Sequence, residues 1–310
     1  MFKEYLAASQ LVDLLTKRGL ACDERTERTL LREGYYAIIN GYGKYFLDAQ
    51  TTQATGEDQY AQGSTFRQVY RLFLFDRSLR MLTFNQLTKI EGMLRSLVST
   101  SFLEAHEDPE AYLQEACFST RGHYLLGEAS YERDLRNLMR ALTRYAREHE
   151  NDERGRDDAR LAHYRNNYDY VPLWVVFSDF SFGNLYYFLA LMKRSEQEAV
   201  CARLNTVVER VDASQTQRTR KTLVQDVGLL VEVRNICAHG ERLFDACLGE
   251  RDTLDYASFI RIVSRYLPAA DMHAFAKSLT DLFDQHTGRG ELLDRVLSHT
   301  GIREAAQQYC

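Results

Sequence analysis

The chain has 310 residues, 45% hydrophobic and 27% charged, which excludes a disordered or fibrous chain and fits a folded protein with a sizeable core. Its net charge of −5 excludes nonspecific binding of nucleic acid by bulk charge, so any polyanion site must be a local patch. No run of about 18 apolar residues is present to span a membrane, and the opening MFKEYLAASQLVDLL lacks the basic and apolar regions of a signal peptide.

Only three prolines occur, Pro109, Pro172 and Pro268, and period-2 runs closed by hairpin turns are absent, so an all-α fold is expected. An amphipathic helix is predicted over 2–18, ended by Gly19. A second covers 24–47, where Tyr35, Ile38, Tyr42 and Tyr45 repeat at helical spacing, as a core stripe before a base-stacking face. Residues 48–65 are polar and read as a surface loop. A long helix runs from Phe66 to about Ala105, ended by Asp108-Pro109. Another occupies 130–149, followed by a charged loop over 149–160. A buried helical pair fills 168–192, with Pro172 in a first turn and Trp174 in the core. A helix over 214–239 and further helices within 253–308 complete the chain, without internal repeats. Cys22, Cys117, Cys201, Cys237, Cys247 and Cys310 are scattered, with neither zinc nor disulfide spacing, and read as the reduced thiols of a cytoplasmic protein.

The helix over 214–239 ends in VEVRNICAHGERLF (231–244). Leu223, Val227, Leu230 and Arg234 form one stripe of a helix that is apolar nearly all round, hence central. A permanent cation on that stripe needs a carboxylate or a polar cleft, because an unpaired buried charge costs several kcal/mol. Asn235 and His239 share a face, whereas Arg234 and His239 stand about 140° apart on an ideal helix. A single copy therefore need not bring Arg234 to His239, and two copies facing across a two-fold axis could build one composite site. Helix geometry alone leaves open a plain structural role for both residues.

Two other constellations stand out. Arg133, Arg136, Arg140, Arg144 and Arg147 fall within about 80° of one another, spanning about 21 Å, with no alternating acids before Glu148. They form either an RNA-tracking face or a solvated one. Arg144 and His149 repeat the spacing of Arg234 and His239 but lack the asparagine, and read as a coincidence. Glu91 and Arg95 can form an ordinary i,i+4 pair.

Arg-Asn followed by His resembles the R-x4–6-H motif of the HEPN superfamily of RNases. The wider sequence resembles the Abi-like family, the AbiD/AbiF abortive-infection proteins of phage defence. The blocks LLTKRGL (14–20), GYYAIINGYGKYF (34–46), STFRQVYRLFLFDRSLR (64–80), KIEGMLR (89–95), YVPLWVVFSDFSFGNL (170–185) and RNICAHGERLFD (234–245) follow the family's order. Asp245 departs from it, standing where an Asn is expected in many members.

The resemblance implies one domain over 1–310: N-terminal helices (1–47), a polar loop (48–65), a HEPN-type bundle (66–250) and C-terminal helices (251–310). It implies a metal-independent endoribonuclease, a toxin-like effector needing no cofactor, with Arg234, Asn235 and His239 catalytic. Glu91, inside a matching block, becomes the candidate partner of Arg234, with Arg95 in support. Expected partners are RNA, as substrate and as a noncoding antitoxin, and a second copy of the chain, with neither membrane nor DNA. The alternative is a noncatalytic RNA-binding module or antitoxin that uses the motif helix for dimerisation.

Overall fold

A computed structural model describes residues 5–147, 159–208, 218–249, 253–288 and 290–310. Among the described residues the chain is all-α. The first helices are α1 (Ala8–Lys17), α2 (Thr26–Glu33), α3 (Ala49–Thr55), α4 (Phe66–Leu103) and α5 (Tyr131–Arg147). Then come α6 (Ala159–Asn167), α7 (Leu173–Asp179), α8 (Phe182–Leu191), α9 (Arg194–Val207) and α10 (Arg220–His239). The C-terminal set is α11 (Tyr256–Val263), α12 (Ala269–His286), α13 (Glu291–Ser298) and α14 (Ile302–Gln307). Three isolated bridges occur where strands are absent among these residues. No described helix is long and apolar enough to cross a membrane.

The organising element is α4, 38 residues and about 57 Å long at 1.5 Å per residue. A capping box starts it: the Thr65 hydroxyl accepts from the Gln68 N–H at 3.2 Å, and Gln68 Oε1 accepts the Thr65 N–H at 2.9 Å. Its first half packs on α12 through Phe75 and Phe283, ring centroids 4.8 Å apart. Its last turn packs on α8 through Phe102 and Phe188 at 5.1 Å. Burying one such ring contributes about 1.5–3 kcal/mol. Helix α10 packs against α4, α8, α9 and α11, as expected of an almost uniformly apolar helix.

Two expectations are corrected, and a third falls mostly outside the described residues. The helix expected over 24–47 stops at Glu33, because Gly34 takes φ +85, outside the helical region. The chain continues as a π-helical turn (Tyr36–Asn40) and a 3-10 turn (Gly43–Phe46). The stripe still faces inward, with Ile38 and Tyr42 buried and Tyr35 and Tyr45 half-buried. The segment 48–65 is not all loop: Asp48 Oδ1 accepts the Thr51 N–H at 2.8 Å and starts α3. Residues 149–158 of the expected loop lie outside the described residues, His149 among them, and its last two residues open α6.

Candidate active site

Thr219 caps α10, accepting the Thr222 N–H at 3.2 Å. Leu223, Val227 and Leu230 hold the helix in the core. The same stripe reaches the surface at Arg234, whose side chain is 29% exposed. The helix ends where Gly240 enters the left-handed region (φ +73), letting the Glu241 N–H return to Ile236 O at 3.1 Å. Asn235 and His239 are therefore exposed on the rim of a well-anchored helix.

Under Arg234 lies Glu91 of α4, its side chain only 8% exposed, with Oε2 3.9 Å from Arg234 Nε. At that distance the charges compensate, but no hydrogen bond forms, and Arg234 Nε has no hydrogen-bond partner among the described residues. The other carboxylate oxygen, Oε1, accepts from Arg95 Nη2 at 2.6 Å. Arg95 Nη2 also donates to Phe180 O at 2.7 Å, in the turn between α7 and α8. Two guanidiniums thus share one carboxylate, leaving one positive charge in excess. Arg234 further donates to Asn235 Oδ1 at 3.2 Å. No hydrogen bond joins Arg234 to His239 within the chain, as their angular separation on the helix requires. His239 has no hydrogen-bond partner among the described residues, so its ring is free to meet a ligand or a second chain. Cys237, two residues before it, is no rival nucleophile: burial pushes its thiol up to about 12.

Sequence reasoning missed the network that holds the segment after the motif. Asp76 of α4 is fully buried and accepts from Tyr42 Oη at 2.7 Å, from the Leu243 N–H at 3.1 Å and from the Phe244 N–H at 2.8 Å. Arg80, one turn later, pairs with Asp76 and donates to Glu241 O at 3.1 Å. Burial pushes the Asp76 carboxyl above the usual range, against the pull of Arg80 and its hydrogen bonds. This pair ties residues 241–244 to the central helix and so fixes where α10 stops. The available signal was an acid and a base four apart within the apolar run FRQVYRLFLFDRSLR.

Asp245 serves as a second anchor. It accepts from Tyr45 and pairs with Lys44 at 3.5 Å and Arg242 at 3.4 Å. Burial raises its carboxyl pKa.

On α5 all five arginines are exposed, yet the face is not free of acids as expected. Arg133 pairs with the buried Asp134 at 2.9 Å, and Arg147 meets Glu110 from a neighbouring segment at 3.5 Å. The exposed Arg147–Glu110 pair contributes about 0–1 kcal/mol and leaves the charge visible to solvent. Helix α5 backs onto the site through Tyr145, whose ring lies 5.7 Å from that of Phe180. Trp174, expected in the core, is 55% exposed.

The family model described as Abi-like protein matches residues 28–245, spanning the N-terminal aromatic segment, α4 and the whole of α10. No curated protein and no solved structure matches the chain.

Proposed function

The chain belongs to the Abi-like family, whose name points to abortive infection and phage defence, and from that premise we propose that it is a metal-independent endoribonuclease acting as a toxin of that response. The observation carrying this reading is the Arg234–Glu91–Arg95 cluster, one positive charge in excess, on the helix end that also exposes His239.

RNA carries its own nucleophile, so the protein needs only to move protons and stabilise charge. The 2′-oxygen bonds to the adjacent phosphorus while the bond from phosphorus to the 5′-oxygen breaks. A base takes the 2′ proton and an acid delivers one to the departing 5′-oxygen. His239 supplies an imidazole for either step. Arg234 binds the phosphate and the charge that develops on it, since its fork of donors suits phosphate geometry. Glu91 aims Arg234 without neutralising the cluster, because Arg95 shares it. Asn235 holds the Arg234 guanidinium beside the phosphate. Arg136 and Arg140 on α5 extend the contact along the strand.

One chain offers one His239, and its helix separates it from Arg234. Two copies across a two-fold axis set the arginine of one against the histidine of the other, giving two equivalent sites with one His239 each. Purified Arg234→Ala and His239→Ala chains are each expected to be inactive. Mixed after reversible unfolding, half of the dimers are hybrids, each keeping one of two composite sites, so roughly a quarter of wild-type cleavage returns. Hybrid dimers that form and stay inactive would contradict the composite site. A wild-type chain that binds RNA without cutting it would instead establish the noncatalytic alternative.

A further inference from the structure

We propose that the cavity between α4 and α7 is a nucleobase subsite, with Trp174 the stacking platform for a base next to the phosphate held at Arg234. The inference rests on the ribonuclease reading and assigns that site a specificity pocket.

The cavity holds about 350 Å³ between Arg95, Ser96 and Thr100 on α4 and Trp174, Phe177 and Ser178 on α7. That is the low end of small-molecule sites, room for one planar ring system. Its walls are of two kinds. Phe177 is buried and closes the floor, whereas Trp174, three residues earlier on the same helix, is 55% exposed and offers a π-face to solvent. A large aromatic left exposed beside a cavity costs apolar hydration that a stacked base would relieve. Apart from Leu103 and the Arg95 guanidinium, the rest of the wall is hydroxyl. The single Ser178 hydroxyl proton is taken by Val175 O at 2.7 Å or Asp179 Oδ2 at 3.0 Å, so its remaining capacity is as an acceptor. Ser96 and Thr100 stand exposed at the rim with donor and acceptor capacity, suited to a base edge.

The cavity is continuous with the site, because Arg95 belongs to both. Its Nη2 is committed to Glu91 and Phe180 O, while its buried Nε has no hydrogen-bond partner among the described residues. Along α4 the pocket opens four residues, about 6 Å, beyond Glu91, so a strand whose phosphate sits at Arg234 passes its neighbouring base over Trp174. A phosphate is the poorer occupant, because the one guanidinium lining the cavity already gives its Nη2 to Glu91 and Phe180 O and the opposite wall is aromatic.

Trp174 is the chain's single tryptophan, so fluorescence excited at the red edge of the band, where the 19 tyrosines do not absorb, reports on this pocket. The His239→Ala chain, which holds RNA without turnover, is titrated with a short labelled single-stranded RNA and with the same strand made abasic. Anisotropy of the label and Trp174 emission are read together. The RNA should quench Trp174 saturably, with the same midpoint as anisotropy. The abasic strand should bind about 5- to 150-fold more weakly and leave the emission unchanged, the loss expected for one stacked base. In the His239→Ala background Trp174→Ala should lower RNA affinity by a similar factor, and Trp174→Phe, which keeps a ring, should retain it. On an otherwise wild-type chain, Trp174→Ala should change which bonds are cut more than the rate at saturating RNA.

RNA binding seen by anisotropy without a change in Trp174 emission would overturn the subsite and leave the ribonuclease reading standing. Equal quenching by the abasic strand would overturn it too. A chain that shows no RNA binding by anisotropy would remove the ribonuclease reading and the subsite together.

Discussion

Replacing His239 by alanine should lower RNA cleavage by about 10²–10⁴-fold, the usual worth of a positioned acid or base, while leaving RNA affinity and the fold intact. The fold should survive because His239 is exposed at the last residue of α10, and the helix end is closed by Gly240 and Glu241, not by the imidazole. Its loss removes at most a favourable interaction with the helix C-terminus, about 0.3–1 kcal/mol for an exposed cation. Arg234→Ala should behave differently. It removes a phosphate contact, so affinity and rate fall together, while Glu91 keeps its hydrogen bond from Arg95 and is not left as an orphaned buried charge. Arg234→Lys should rescue little, because an ammonium cannot reproduce the guanidinium fork. Single-turnover cleavage at saturating RNA, with affinity measured separately, distinguishes these outcomes. His239→Ala cutting at the wild-type rate would remove the histidine from the chemistry.

Asp76→Ala should destabilise the protein by about 3–5 kcal/mol, the cost of leaving a buried charge without its partner. Arg80 would keep its charge in a largely buried place, and Tyr42 and the N–H groups of Leu243 and Phe244 would lose an acceptor. Against a typical total stability of about 5–15 kcal/mol this is a large fraction, readable as a fall in the urea midpoint. The double replacement Asp76→Leu with Arg80→Met should recover part of the loss, since it removes both charges. Recovery should stay incomplete, because the two backbone N–H groups and Tyr42 remain without their acceptor. A midpoint unchanged in Asp76→Ala would mean that the network does not anchor the segment after the motif.

The contrast between these two sites shows what a sequence exposes. Arg234, Asn235 and His239 were legible because a cation, an amide and a titratable ring interrupt an apolar helix just before a glycine. Glu91 was legible through its matching block. Asp76 and Arg80 were not, because an acid and a base four apart on a helix look alike on the surface and in the core. Only the fold of residues 241–244 back onto α4 makes them a buried clamp.

The long helix over 66–103 was easy, being capped at Thr65 and unbroken by proline. The stretch after Gly34 was hard, because its aromatic periodicity continues while the backbone changes from α to π to 3-10. In LWVVF the neighbours Leu173, Val175, Val176 and Phe177 are all buried and Trp174 alone turns outward. A short apolar run carries no period from which that could be read.

The central claim, that this chain cuts RNA by activating the 2′-OH without a metal, is tested most directly by the ends of the products. The purified chain is incubated with RNA in excess EDTA, and the fragments are analysed for their termini. Cleavage should be undiminished by EDTA and dependent on His239, leaving 5′-hydroxyl ends and 2′,3′-cyclic phosphates or their hydrolysis products. Loss of cleavage in EDTA, restored by magnesium and yielding 5′-phosphate ends, would contradict it.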